Sequence, residues 1–376
     1  MATYQFRIRL IQLHPNHVYL DEGKTGIGLD ERPGIPMPYA NLSRLAPMRH
    51  ESAPRYTALS YTWGDQNVCK PTIIDGRKVT VTTNLEAALQ YLREQISRPL
   101  MLWVDSLCID QDDSEEKSRQ VAHMRDIYAQ AEEVICWLGD GTCTPGIRWL
   151  AEYGSRAKAL GIGQSEDMLL KNLLERCDDT TEGAGKGTMV SISRSDDEHR
   201  FVTDLKRVLG PHSNPDYYEL IEALQDFLER PYWRRIWIVQ EVTVARITKF
   251  VCGKESVGRE IMYMAIRLLR NFALWQVLKL GHDPSEHFVT TTNTKLDNSR
   301  NESVIPINPG LIVQLLRLGN TGDTGMPMMY LLRRLVQSQA TDDRDRVFAL
   351  LGLATDAKDL HVDPDYTKSC AQCIRS

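Results

Sequence analysis

Apolar and polar positions alternate from the start of the chain. MATYQFRIRLIQLHPNHVYL sets hydrophobic residues between charged ones, the period of a strand. Gly, Pro and Asn residues then fill a loop from about Asp21 to Pro54. YTALSYTWGDQ (56–66) is a second apolar run, broken by Gly64-Asp65. In PTIIDGRKVTV, Asp75-Gly76 between β-branched runs predicts a hairpin. TTNLEAALQYLREQ places Leu85, Ala88, Leu89 and Leu92 at helical spacing, with Thr82, Thr83 or Asn84 as its cap. LWVDSLCIDQDD begins as a buried strand and ends in an acidic loop. RQVAHMRDIYAQA then puts Val121, Met124, Tyr128 and Ala131 on one helical face, and EVICWLGD is a short apolar strand stopped by Gly139. Strand, helix, strand at this spacing predicts the βαβ unit of a parallel sheet.

The pattern weakens between about 142 and 218, where DDTTEGAGKGTMVSISRSDDEHR (178–200) reads as a polar insertion. Periodicity returns in YYELIEALQDFLERPYWRRIWIVQEV, and ITKFVCG reads as another strand. A helix is expected from Leu268 to Leu280. A second polar stretch, roughly 282–308, precedes a helical tail containing MMYLLRRLVQSQA and DRDRVFALLGLA. The expected fold is α/β: a central, mainly parallel sheet flanked by helices, with a helical insertion at about 142–218. Residues 1–255 would form this domain, and 256–376 a helical C-terminal portion packed on it. There is no internal repeat.

Composition narrows the class. With 42% hydrophobic and 25% charged residues, the chain has the make-up of a globular protein. A net charge of −5 and scattered Lys and Arg exclude a dedicated nucleic-acid binder. No window approaches the roughly 18 uninterrupted apolar residues of a membrane span. The first residues lack the apolar core of a signal peptide. Eight cysteines are too sparse for a disulfide framework. Cys108, Cys136 and Cys252 lie in apolar runs and read as reduced and buried, which points to the cytoplasm.

Several motifs fail on spacing. GAGKGT (183–188) has Gly187 after Lys186, Thr180 at the first glycine position of a P-loop, and no strand before it. Cys370 and Cys373 form one CxxC with no second pair, and no HExxH exists, so no metal site is expected. No GxSxG marks a serine hydrolase. A Cys108–His123 dyad is opposed by the apolar run around Cys108.

Acidic positions are more informative. Asp65 ends one strand region, and Asp105, Asp110, Asp112 and Asp113 crowd the loop after LWV. Ligands of parallel sheets bind at such strand ends, though solvated loop acids and helix caps explain single residues equally well. In RPYWRRIWIVQEV (230–242), a helix would align Trp233, Trp237 and Glu241 in one stripe. A carboxyl beside an indole loses water, its pKa rises, and it suits proton transfer or stabilisation of developing positive charge. An ion pair with Arg234 or Arg235 beside a buried tryptophan is the alternative, and the local sequence leaves both open.

YTALSYTWGD, LWVDSLCIDQ with QVAHMRDIYAQAEEVICWLG, and RPYWRRIWIVQEV resemble, in order, the three blocks of the fungal heterokaryon-incompatibility (HET) domain. The IRLIQL strand, IIDGRKVTVTTNLEAAL and DRDRVFALLGLA extend the resemblance over most of residues 5–366. Asp110 stands where the family frequently has Asn, and the chain stops soon after DPDYTKSC, where members usually continue. The resemblance implies programmed cell death after fusion of unlike fungal cells.

More distantly, the order of elements resembles Toll/interleukin-receptor (TIR) domains. Ser60-Tyr61 and Asp65, the helix 84–94, LWVD at 102–105, the helix 119–131, the strand 133–138 and Trp237-Ile-Val-Gln-Glu241-Val carry that likeness. In enzymatic TIR domains the Glu of this last motif cleaves NAD⁺ at the nicotinamide–ribose bond. The resemblance therefore implies Glu241 as catalytic residue. It implies a substrate site of Ser60, Tyr61, Trp63, Gly64, Asp65, Asp105, Cys108, Gln111 and Trp237, with NAD⁺ as substrate and no resident cofactor. Self-association or an upstream immune-type receptor would be the trigger. A non-enzymatic module that oligomerises and recruits a death effector is the rival expectation.

Overall fold

The computed structural model describes residues 7–15, 41–44, 48–49, 53–162, 196–211, 213–279 and 326–370, with residues 312 and 372. The expected loop 21–54 in large part, the polar stretches 178–195 and 282–308, GAGKGT and Cys373 lie outside them. Two compact units emerge: residues 1–140, 234–254 and 323–376 form the first, and 141–233 with 255–322 the second. The division differs from the expected break at 255. The tail joins the sheet-bearing unit, whereas residues on both sides of the third sequence block make up the other.

In the first unit the strands are β1 (Arg7–Ile8), β2 (Ile11–Leu13), β3 (Asn41–Arg44), β4 (Met48–Arg49), β5 (Thr57–Tyr61), β6 (Cys69–Ile74), β7 (Arg77–Thr82), β8 (Leu100–Trp103), β9 (Glu133–Trp137) and β10 (Thr248–Cys252). Its main sheet runs β10-β9-β5-β8-β2-β3-β6-β7. The stretch β10-β9-β5-β8 is parallel throughout, as is the β3–β6 pair. β2 is antiparallel to both neighbours, and β6 and β7 form a hairpin. The α/β class with a mostly parallel sheet flanked by helices is thus observed. TALSY of β5 is buried at every position, as a central parallel strand covered on both faces must be. Counted along the chain, the parallel strands lie in the order 2-1-3-4, with β5 first. Connections after β5 and β9 therefore leave in opposite directions. Such a switch point opens a crevice at the carboxyl ends of the two strands.

Local sequence explains the connections. Asp75 (φ 53°) and Gly76 (φ 72°) both take positive φ, the primed turn that matches strand twist in the expected hairpin. Of the three possible caps, Thr82 is the one used. Its hydroxyl accepts from the Leu85 N–H at 3.4 Å and starts α1 (Thr83–Gln95). α1 buries Leu85, Ala88, Leu89 and Leu92 as its period requires. After β8 come a single turn, α2 (Asp105–Cys108), then α3 (Ser114–Ala122) and α4 (Met124–Gln130). The one helix expected over 119–131 is broken at His123 (φ −108°, ψ 6°). Asp113 caps α3 by accepting from the Glu115 and Glu116 N–H groups at 2.9 and 3.0 Å.

The second unit contains α5 (Thr144–Ala159), α6 (Asp196–Val208), α7 (Tyr217–Glu229), a 3₁₀ turn (Pro231–Arg234, whose last residue falls in the first unit), β11 (Glu255–Gly258) and α9 (Arg259–Lys279). α8 (Ile238–Val244), α10 (Met328–Arg334), α11 (Asp345–Leu351) and α12 (Ala357–Leu360) belong to the first unit. α9 starts well before the expected Leu268. α5 crosses α7 and α9 at glycines. A Cβ on Gly146 would lie 2.7 Å from the Ala223 carbonyl oxygen, and one on Gly154 would collide with the Ile261 carbonyl. Backbone cannot yield as a flexible side chain can. Gly154→Ala is therefore expected to destabilise this unit by about 1–3 kcal/mol, measured by urea unfolding; an unchanged midpoint would contradict the close crossing.

Candidate functional site

The carboxyl ends of β5 and β8 collect most of the residues singled out by sequence, all within the first unit. β5 ends in Ser60-Tyr61, and the chain turns at Gly64 (φ 77°). Asn84, at the start of α1, donates to the Thr62 carbonyl at 2.5 Å and accepts from the Trp137 indole at 3.0 Å. It thereby ties the segment leaving β5 to the end of β9. β8 delivers Asp105 two residues after its last member, Trp103. The Asp105 carboxylate accepts from the Trp63 indole at 2.8 Å and from the Ser106 N–H at 2.7 Å. The Tyr61 hydroxyl donates to Ser106 Oγ at 2.7 Å, and the Gln111 amide donates to the Asp105 carbonyl at 3.2 Å. Tyr61, Trp63, Asp105 and Gln111 are thus brought together. Trp63 and Asp105 are half-buried and form the outer part of the group.

Glu241 is the inner part. It sits on α8 and is 2% exposed. Ser60 Oγ–H donates to Glu241 Oε2. Arg235 Nη1 lies 3.9 Å from the same oxygen and donates to the Tyr61 carbonyl. Of the two partners left open by the sequence, the structure selects Arg235. Burial raises the Glu241 carboxyl above its ordinary value; Arg235 and the Ser60 bond oppose the shift, and Asp105 adds to it. Asp105 is raised too, by burial first, against Arg235 and its hydrogen bonds. Burial also pushes the Tyr61 phenol up, helped by the Asp105 charge. Magnitudes explain these directions. A charge pair at about 4 Å gains roughly 4 kcal/mol at an effective dielectric near 20. Removing each ion from water costs several kcal/mol, and here one guanidinium serves two acids.

The remaining candidates are placed elsewhere. Gly64 and Asp65 are exposed, and Asp65 accepts from the Asn67 N–H (2.9 Å) and amide (3.0 Å) of its own turn. Cys108 is 1% exposed, with Sγ accepting from the Val104 N–H at 3.4 Å, so its thiol offers no surface to a ligand. Trp237 is half-buried and hydrogen-bonds Asp345. The expected Trp233–Trp237–Glu241 stripe does not form. Trp233 lies in the 3₁₀ turn, donates to the Phe227 carbonyl at 2.7 Å, and belongs to the other unit. The helix restarts only at Ile238, because Arg235 is held in a β-bridge with Gln339 and the chain bends at Ile236: Ile236 N–H donates to the Gln339 carbonyl at 2.9 Å and Gln339 N–H to that of Arg234 at 2.5 Å. Sequence reasoning missed Asn84 and Ser106 as organisers and left Arg235 as one of two. Only the neighbouring carboxylates could have singled out an arginine.

Cys108 and Cys136 are buried thiols, as expected, whereas Cys252 is disulfide-bonded, contrary to the reduced reading. Among the described residues no cluster of His, Cys, Asp or Glu could hold a metal ion.

The family described as heterokaryon incompatibility protein (HET) matches residues 56–241, from the start of β5 to Glu241 itself. The chain carries a HET domain. This HET-domain chain is 28% identical over 391 aligned positions to heterokaryon incompatibility protein 6, OR allele, of Neurospora crassa. That alignment covers 96% of the chain but 49% of the relative, so the chain spans about half the length of this curated protein. No solved structure matches significantly. No helix among the described residues is long and apolar enough to cross a membrane.

A raised carboxyl binds its proton more tightly in the folded chain than in the unfolded one. Its stabilising contribution is full below the unfolded value of about 4.3 and is lost as pH rises through the folded value. Glu241→Gln removes that loss. The unfolding free energy of the variant relative to the native chain is expected to increase as pH rises above about 4. Urea titrations at a series of pH values check this, and a pH-independent difference would contradict the buried carboxyl.

Proposed function

We propose that this HET domain drives incompatibility as an NAD⁺ glycohydrolase. Glu241 would face the nicotinamide ribose and stabilise positive charge at the anomeric carbon as the C–N bond breaks and neutral nicotinamide departs. Water then attacks that carbon and loses a proton, giving ADP-ribose, nicotinamide and H⁺. The observation that supports the reading is the place of the acid. A desolvated carboxyl of raised pKa stands at the β5/β9 switch point, where doubly wound sheets take ligands. The 2-1-3-4 order of parallel strands and a Glu-bearing helix leading into the fourth strand also fit the TIR resemblance. Trp63, Asp105 and Gln111 would line the mouth, with Tyr61 behind them. Ser60 would act on Glu241 rather than on substrate. A cytoplasmic setting would supply the dinucleotide.

At 2% exposure Glu241 cannot touch a dinucleotide in this conformation. The reading therefore assigns turnover to an opened state reached on self-association or receptor contact. A second reading is favoured by one specific observation: Ser60 and Arg235 already satisfy Glu241 as a buried structural acid. In that case the domain would recruit an effector without chemistry of its own.

Purified chain, clustered through a fused oligomerisation tag, is expected to release nicotinamide from NAD⁺. Folded Glu241→Gln is expected to be slower by roughly 10²–10³-fold, as when a single transition-state contact is lost. Chromatography of nicotinamide, with circular dichroism as the folding control, reads both. Absence of turnover in the clustered native chain supports the recruiting role; full turnover in Glu241→Gln removes that residue as catalyst.

A further inference from the structure

Ser60 Oγ–H donates to Oε2 of the Glu241 carboxyl, and Arg235 Nη1 stands 3.9 Å from the same oxygen. Arg235 is itself anchored at both ends. Its backbone bridges to Gln339, and its guanidinium donates to the Tyr61 carbonyl at the end of β5. We infer that Arg235 is the positioning residue of this site, holding the Glu241 carboxyl against the end of β5 through the Tyr61 carbonyl and Oε2. As a statement about catalysis this rests on the glycohydrolase reading; as a statement about the carboxyl it does not.

Position and charge arrive together. Arg235 supplies positive charge to Glu241 and Asp105, and it opposes the rise of both. Other charged groups near α8 are engaged elsewhere. On α4, Asp126 faces Arg125 (3.5 Å) and His123 (3.8 Å). On α11, Asp345 is bound by Tyr366 and Trp237, and Arg346 pairs with Asp343 at 3.6 Å. The charges that act on Glu241 are Arg235 and Asp105, with the Tyr61 phenol coupled through Asp105. Both contacts come from Nη1, which donates to the strand-end carbonyl and stands 3.9 Å from the carboxyl; a lysine, with a compact ammonium on a flexible stem, lacks the planar guanidinium that fixes this placement.

The experiment compares Arg235→Gln and Arg235→Lys with the native chain. Carboxyl ¹³C resonances of glutamate-labelled protein, assigned by their loss in Glu241→Gln, report the Glu241 titration without substrate. Removing a cation about 4 Å away is expected to move its midpoint up by about 1–3 pH units in Arg235→Gln, and by less in Arg235→Lys. In clustered protein the acid limb of nicotinamide release is expected to move up by the same amount, with kcat falling more than KM rises. A midpoint unmoved in folded Arg235→Gln overturns the inference. Should that variant not fold, a native midpoint and native kcat in Arg235→Lys overturn it, because they leave the guanidinium no positioning role. If the native chain shows no turnover while the midpoint moves, the glycohydrolase reading fails and the assignment to Arg235 stands.

Discussion

A carboxyl group withdrawn from water at the end of β5 is the constraint around which the first unit is arranged. Glu241 is carried on a helix that starts only after an interrupting step, a β-bridge between Arg235 and Gln339 followed by a bend at Ile236. The same step delivers a guanidinium beside the acid and a strand-end carbonyl. Without it, Ser60 alone would meet a buried negative charge, and one neutral hydroxyl offsets little of the several kcal/mol that desolvation costs. Backbone geometry, helix start and electrostatics are thus consequences of placing one acid.

The C-terminal segment takes part in this arrangement. Asp345 of α11 is held by the Tyr366 hydroxyl and the Trp237 indole, while Lys117 and Arg344 stand over the Tyr366 ring at 4.5 and 5.0 Å. The Tyr366 N–H donates to Ser118 of α3 at 2.8 Å. Gln339, Asp345 and Tyr366 therefore brace the region from Arg234 to Trp237, immediately before α8. Burial raises the Asp345 carboxyl, so this brace also contains a desolvated acid. Sequence distance concealed the relation, since Tyr366 and Ser118 are 248 residues apart.

What the sequence disclosed followed local physics. Alternating and helical periods located β5, β8, β9, β10 and α1, because burial on one or both faces writes itself into neighbouring residues. The Asp75-Gly76 turn was legible because its conformation demands residues tolerant of positive φ. Within the expected helical insertion α5 was not located, because its crossings use Gly146 and Gly154, which weaken an apolar period while permitting backbone approach. The helix 119–131 was drawn too long because periodicity continues through His123 although the backbone does not. At the site, Tyr61, Trp63, Asp105 and Gln111 converge, whereas Asp65 turns to its own loop and Cys108 faces inward. Neighbouring residues in a motif share a segment; they need not share a direction. The aromatic stripe failed for a related reason. A spacing of four means one face only if the helix is continuous, and a contact from residue 339 interrupts it.

Stability does not explain why the acid is there. Replacing a buried ion pair by apolar side chains of similar volume is commonly neutral or stabilising, so a sheet of this kind has no need of Glu241, Arg235 and Asp105 at its switch point. Local rules tend to be broken where function requires it. Ser60 and Arg235 meet the acid at Oε2, and Arg235 ties it to the strand-end carbonyl of Tyr61. Under the glycohydrolase reading, the 2% exposure would be that of a closed state, and opening would present an acid already oriented by those contacts.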